Sequence, residues 1–453
     1  MTERPQKKSW FREYIVEPIQ HFFYYICTGN VMPVVTAAVF ALVTCVWMYI
    51  VENQQSNLKE DAWLFYFLDR FNKAKEIELQ DTAFFINVSY DLQLIPENPN
   101  RPADGYVAIT DRQKLLRFLQ KIERDSINYK YILMDIRFEK GYETEYDDSL
   151  YAQIHRMPRL VIASHQKDDH GEMYEIADSI LLDKCGMSDY NQYSIVTNFS
   201  RYTFLQAGKP SIALKMYDEL NHQETSVKQW RNRPVYFADG YLCINSPMMF
   251  LSGTVLSFED YMMMQAAIEA ERLQNGLETG MEAETAKLDS KHGDYYFYLN
   301  LGGDFVNNEV RKDKKWNGDL ENKVIVIANF EEDLHDTYVG KVSGAYITWM
   351  AYQFLRNGNH LLSWGFLLMH FFCYMVMYWL ILMINILARN SKYADNEKAQ
   401  RRLSWLRWIS SFGLLYLLTI ALYHFMHFRF NMEVPLLILS FLNLIIQYAK
   451  SKS

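Results

Sequence analysis

The chain has 453 residues, 22% of them charged and 50% hydrophobic, with a formal net charge of -8; this composition excludes uniform disorder, a collagen repeat and a disulfide scaffold. A mean hydropathy of -0.19 averages over four apolar blocks separated by strongly polar segments. Residues 52–360 carry 33 Lys+Arg against 48 Asp+Glu, and the remainder 13 against 6, so the acidic part is one long segment that does not attract phosphates, and no nucleic acid is expected as a partner.

The first 30 residues read as a cytoplasmic tail in which Trp10 to Ile26 forms an interfacial amphipathic helix broken at Pro18. Residues 31–51 follow without a charge, enough to cross ~30 Å of hydrocarbon. Three further apolar blocks, 361–387, 408–428 and 434–449, lie near the other end, with a basic loop at 388–407 and a basic tail at 450–453. Because Lys and Arg beside spans are retained in the cytoplasm, four spans place both termini inside and residues 52–360 outside. The expected partner is then a lipid bilayer, and the expected site a bacterial inner membrane. His370, Asn385, His424, His427 and Asn443 inside the blocks are read as hydrogen-bonding between packed helices, or as part of a transport path.

The segment 52–360 is expected to be α/β. Glu52 to Gln80 looks like a helix with a Trp63, Phe65, Phe67 and Phe71 cluster. AFFINVSY (Ala83 to Tyr90), YKYILMDI (Tyr129 to Ile136) and RLVIASH (Arg159 to His165) read as strands, alternating with helices at Asp111 to Ile122 and Asp147 to His155. That alternation predicts a largely parallel sheet flanked by helices. PVYFADGYLCIN (Pro234 to Asn245), centred on Asp239-Gly240, predicts a β-hairpin. Phe258 to Asp289 reads as a long helix, Tyr295 to Gly303 and Lys323 to Phe330 as strands, and Gly344 to Gly358 as a helix stopped by its glycine. Cys185 and Cys243 are the two cysteines that an oxidising compartment could join.

Candidate site residues gather at predicted strand ends, where open α/β sheets bind ligands. Glu331, Glu332, Asp333, His335, Asp336 and Thr337 follow one strand; Asp135 ends another, with Asp147 and Asp148 opening the next helix. These oxygens suit a small ligand or a hard cation such as calcium, although the EF-hand spacing is missing; helix capping and solvated loop are the alternative. Asp168, Asp169 and His170 read as an exposed turn. Asn87-Val88-Ser89 and Asn198-Phe199-Ser200 match glycosylation sequons. No serine-hydrolase elbow, zinc-protease helix or phosphate loop is present, so no catalytic residue, cofactor or metal is assigned and the chain is not read as an enzyme.

The order of elements, the D-I-x-F run at Asp135, Ile136 and Phe138, GKPSIALKMY (Gly208 to Tyr217), YLNLGG, and the block from Asn322 to Gly358 resemble the second type of CHASE domain, the cyclase/histidine-kinase-associated sensory extracellular module. Ala328 stands where that family usually has Gly, and Tyr338 follows Thr337 where Pro is common. The resemblance implies a sensory α/β domain that reads a ligand or envelope state. With no output domain in the expected cytoplasmic pieces, the signal would pass to a separate cytoplasmic effector. The alternatives are a scaffold for an envelope protein complex and, more weakly, a transporter component; a homo-oligomer is compatible with each.

Overall fold

The computed structural model describes residues 32–53, 80–97, 101, 105–165, 174–188, 202–206, 208–222, 225–230, 233–238, 240–245, 298–300, 320–337 and 340–389. The expected helices at 10–26, 54–79 and 258–289, the blocks at 408–428 and 434–449, the basic loop, Asp168 to His170 and the Asn198 sequon lie outside the described residues. The chain divides into two compact units, Gln55–Leu361 and a second drawn from Met1–Gln54 with Leu362–Ser453.

The second unit contains helix α1 (Met32–Asn53). The larger unit runs β1 (Ala83–Asn87), β2 (Leu92–Pro96), β3 (Tyr106–Thr110), α2 (Arg112–Arg124), β4 (Tyr131–Asp135), α3 (Asp147–Arg156), β5 (Leu160–Ser164), β6 (Cys185–Met187), β7 (Leu205–Gln206), β8 (Lys209–Pro210), α4 (Ile212–Asn221), β9 (Thr225–Trp230), β10 (Arg233–Ala238), β11 (Tyr241–Cys243), β12 (Tyr298–Asn300), β13 (Val324–Ala328), β14 (Leu334–Thr337), β15 (Gly340–Ser343) and α5 (Gly344–Arg356). Helix α6 (Trp364–Arg389) returns to the second unit.

The principal sheet has six strands in the order β12-β1-β13-β4-β5-β6, and every pairing in it is parallel. Strands β1, β5 and β13 are buried along their whole length, which is why they read as continuous apolar runs rather than alternating ones. The period of two sorts their side chains between two cores. Phe85, Leu133, Val161 and Val326 pack with α4 and α5 on one face; Phe84, Ile86, Ile132 and Ile325 pack with α2 and α3 on the other. Helix starts follow local chemistry: Asp111, Ser211 and Ser343 each accept a backbone N–H two or three residues into the helix they cap, a contribution of about 1 kcal/mol each. β10 and β11 form an antiparallel pair that closes at Ala238 and Tyr241, and Gly240 has the positive φ of 78° that tight hairpin turns require.

The membrane part of the expected fold is corrected. Among the described residues no helix is long and apolar enough to cross a membrane. The multi-pass inner-membrane localisation rested on four spans and is not supported. Within their unit α1 and α6 pack together, with Ala37 and Ala41 fully buried. The Thr44 hydroxyl hydrogen-bonds to the Tyr378 hydroxyl at 2.7 Å. Cys185 and Cys243 are on strands of different sheets and are not joined by a disulfide. Asn87 is 1% exposed and is no glycan acceptor in this fold.

Candidate ligand crevice at the carboxyl edge of the sheet

Parallel pairing brings the carboxyl ends of the strands to one edge. Asn87, Ala328 and Asp135 are register partners across β1, β13 and β4, and Ser164 pairs with Met187 across β5 and β6. The residues just beyond these ends therefore converge, because each apolar run stops where the chain leaves the core.

Asp135 is at the centre. Its carboxylate accepts a hydrogen bond from the Ser188 hydroxyl at 2.9 Å. Burial, followed by the negative charge of Asp333, pushes its pKa up to about 6, while His165, Ser188 and His335 pull in the opposite direction. Asp333 and His335 come from the loop and strand after β13, with the His335 Nε2 3.2 Å from the Asp333 carboxylate. This pair leans against the start of α5: the Gly344 N–H donates to the Asp333 carbonyl at 2.9 Å. A Cβ at Gly344 would overlap the Asp333 carboxylate and reach the His335 imidazole. A side chain at Gly344 would therefore displace the carboxylate and imidazole tips of this pair.

A second polar set borders the crevice. The Asn87 amide donates to Glu331 at 3.1 Å. The Ser89 hydroxyl donates to Asn329 at 2.7 Å, whose side-chain oxygen also caps the backbone N–H groups of Glu331 and Glu332. Glu331 is thus held in place by its neighbours.

The other expected residues are elsewhere or turned away. The Asp147 carboxylate is buried at the start of α3, accepting from the Thr144 backbone and hydroxyl and from the Tyr151 hydroxyl, with the Arg112 Nε 3.9 Å away. It ties the preceding turn to the helix and pairs with Arg112. Asp148 is exposed on the same turn. Asp336 is opposite Lys341 across the β14-β15 pair, on the exposed side of the strand, and Thr337 is 6% exposed. Alternation along β14 separates Asp336 from His335. Among the described residues no group of three or more His, Cys, Asp or Glu side chains could hold a metal ion, so the calcium reading has no geometry behind it.

His165 and Ser188 were not singled out in the sequence. His165 carried a signal, being the first ionisable residue after the apolar run of β5. Ser188 follows a strand of three residues, too short to register. Comparisons with protein-family models, with curated proteins and with solved structures give no match.

Proposed function

We propose that the Gln55–Leu361 unit is a ligand-reading signal-input domain that binds a small amine in this crevice and passes its occupancy to a separate effector. The observation that carries the reading is the convergence of Asp135, Asp333 and His335 at the carboxyl edge, with Asp135 raised to about 6. A carboxylate whose ionisation is opposed by burial and by the neighbouring Asp333 charge gains most from a ligand that brings positive charge and N–H donors. The resemblance to the second type of CHASE domain supports the same plan, and binding of this kind needs no chemical step. Relay requires only that the ligand favour one of two states, by about 1 to 3 kcal/mol in the usual range of coupling.

The test is a thermal-shift screen of the full chain against small primary and secondary amines at pH 7.5 and 5.0. At least one amine should give a saturable shift at pH 7.5. With a pKa of about 6 for Asp135, the ionised fraction falls about tenfold between these pH values, and affinity should fall with it. Asp135→Asn should lose the response. Amine binding that ignores both pH and Asp135→Asn, or a screen with no saturable shift, overturns the assignment.

A further inference from the structure

At the outer edge of the sheet, beside β6 and the start of α4, is a second cavity of about 600 Å³. That size is typical of small-molecule sites. Its apolar lining includes Ile176, Leu182, Met187 and Pro210, and its cationic lining is Lys209 and Lys215.

Lys215 is in the opening turn of α4, a turn that carries no acidic residue. A cation there opposes the helix dipole, whose amino end favours negative charge. The Lys215 ammonium donates to the carbonyl oxygens of Asp183 and Cys185. An ammonium has three N–H groups, so one donor remains. Carboxylates near it have other partners: Asp183 faces His155 at 3.7 Å, Glu175 pairs with Lys140 at 2.8 Å, and Glu219 accepts from the Tyr131 hydroxyl at 2.6 Å. Among the described residues Lys215 makes no ion pair. Burial lowers its pKa, with Glu219, Cys185 and Asp183 opposing and Lys184 adding to the fall; a bound anion would reverse that. Lys209 adds a second, exposed cation to the same cavity. The wall is rigid, because the missing side chain at Gly186 brings β6 against the backbone of Ile212.

We infer that this cavity binds a small organic carboxylate with an apolar body, its head against Lys215 and Lys209 and its body against Ile176, Leu182 and Met187. One remaining Lys215 donor beside one exposed lysine suits a monoanion better than a phosphate, which calls for several converging donors. The cavity shares Ser164 and Met187 with the carboxyl edge but none of Asp135, Asp333 and His335, and the carboxylates in its lining, Glu175 and Asp183, face Lys140 and His155, so either assignment can fail alone.

Titration calorimetry on the full chain tests it, with hexanoate and benzoate as probes, hexanamide and benzamide as neutral isosteres, and inorganic phosphate as a further control. One carboxylate should bind saturably, with its amide and phosphate at least tenfold weaker. Lys215→Met should weaken binding at least tenfold and the exposed Lys209→Met about threefold. Should Lys215→Met fail to fold, Leu182→Trp at the 60% exposed rim position fills the cavity and should weaken binding at least tenfold. No saturable carboxylate binding, equal binding of acid and amide, or full binding to Leu182→Trp overturns the inference.

Discussion

His360 and Asp135 respond to pH in opposite senses, and each shows what burial does to a titrating group. His360 is 2% exposed and packs edge-on against Tyr217 and Phe204, at 5.4 and 6.4 Å between ring centres. Neither ring nitrogen has a hydrogen-bond partner among the described residues, and burial lowers its pKa to about 4. The unfolded chain, with a histidine pKa of about 6.5, takes up this proton first, so the stability His360 confers is complete above about pH 6.5 and is lost as pH falls toward 4. Asp135 is raised instead, so its favourable state is the protonated one, present below about pH 3.9 and lost as pH rises through 6. Urea unfolding at pH 7.5 and 5.0 should separate them. His360→Phe should remove about 2 kcal/mol of the acid loss, and Asp135→Asn should stabilise the chain by about 1–3 kcal/mol at pH 7.5. A pH profile unchanged by His360→Phe would show that the ring is not held neutral. Stabilisation on removing Asp135 would mark a carboxylate kept in an unfavourable place, as binding sites often do.

At the scale of elements, legibility followed length and burial. β1, β4, β5 and β13 are each five residues long and almost wholly buried, and their apolar runs were plain in the sequence, as were α2, α3 and α5. Strand β6 was not, because three residues, Cys185 to Met187, carry no period. Nor was β14, whose acidic sequence read as loop; once it forms a strand, its alternation turns Asp336 away from the face that carries His335. What made the edge position of β6 possible is Gly186: a Cβ there would be 2.8 Å from the Ile212 Cα and 2.9 Å from its backbone nitrogen. Backbone cannot rotate aside as a side chain can. Gly186→Ala should therefore cost about 1–3 kcal/mol, seen as a lower urea midpoint with an unchanged slope. A loss below about 0.5 kcal/mol would mean that α4 can shift outward at little cost.

Over the larger unit as a whole, the two ends of the sheet have different uses, and α5 joins them. Its first residue supports the Asp333-His335 pair at the carboxyl edge. Residues Gly344 to Leu355 are all buried, and its last turn reaches the opposite edge. There Asp81, just before β1, is held by Lys130 from the start of β4, by the Tyr352 hydroxyl at 2.5 Å and by the Arg356 Nε at 3.4 Å. Gln353 adds bonds to the Gln80 backbone N–H and the Asp81 carbonyl. These groups are close to fully partnered, in contrast with the opposed carboxylates at the crevice, so the amino edge reads as the end that secures the fold. Asp81 is buried, but Lys130 and Arg356 are about a third exposed, so losing the carboxylate costs less than the ~3–5 kcal/mol of a fully buried pair. Asp81→Ala should lose about 2–3 kcal/mol in urea unfolding. Tyr352→Phe, which removes one hydrogen bond and no charge, should lose about 1 kcal/mol. Lys130→Met added to Asp81→Ala should recover part of the loss, because it removes the stranded cation. Asp81→Ala costing no more than Tyr352→Phe would show that the charges are solvated rather than locked, and the division of labour between the two edges would fall.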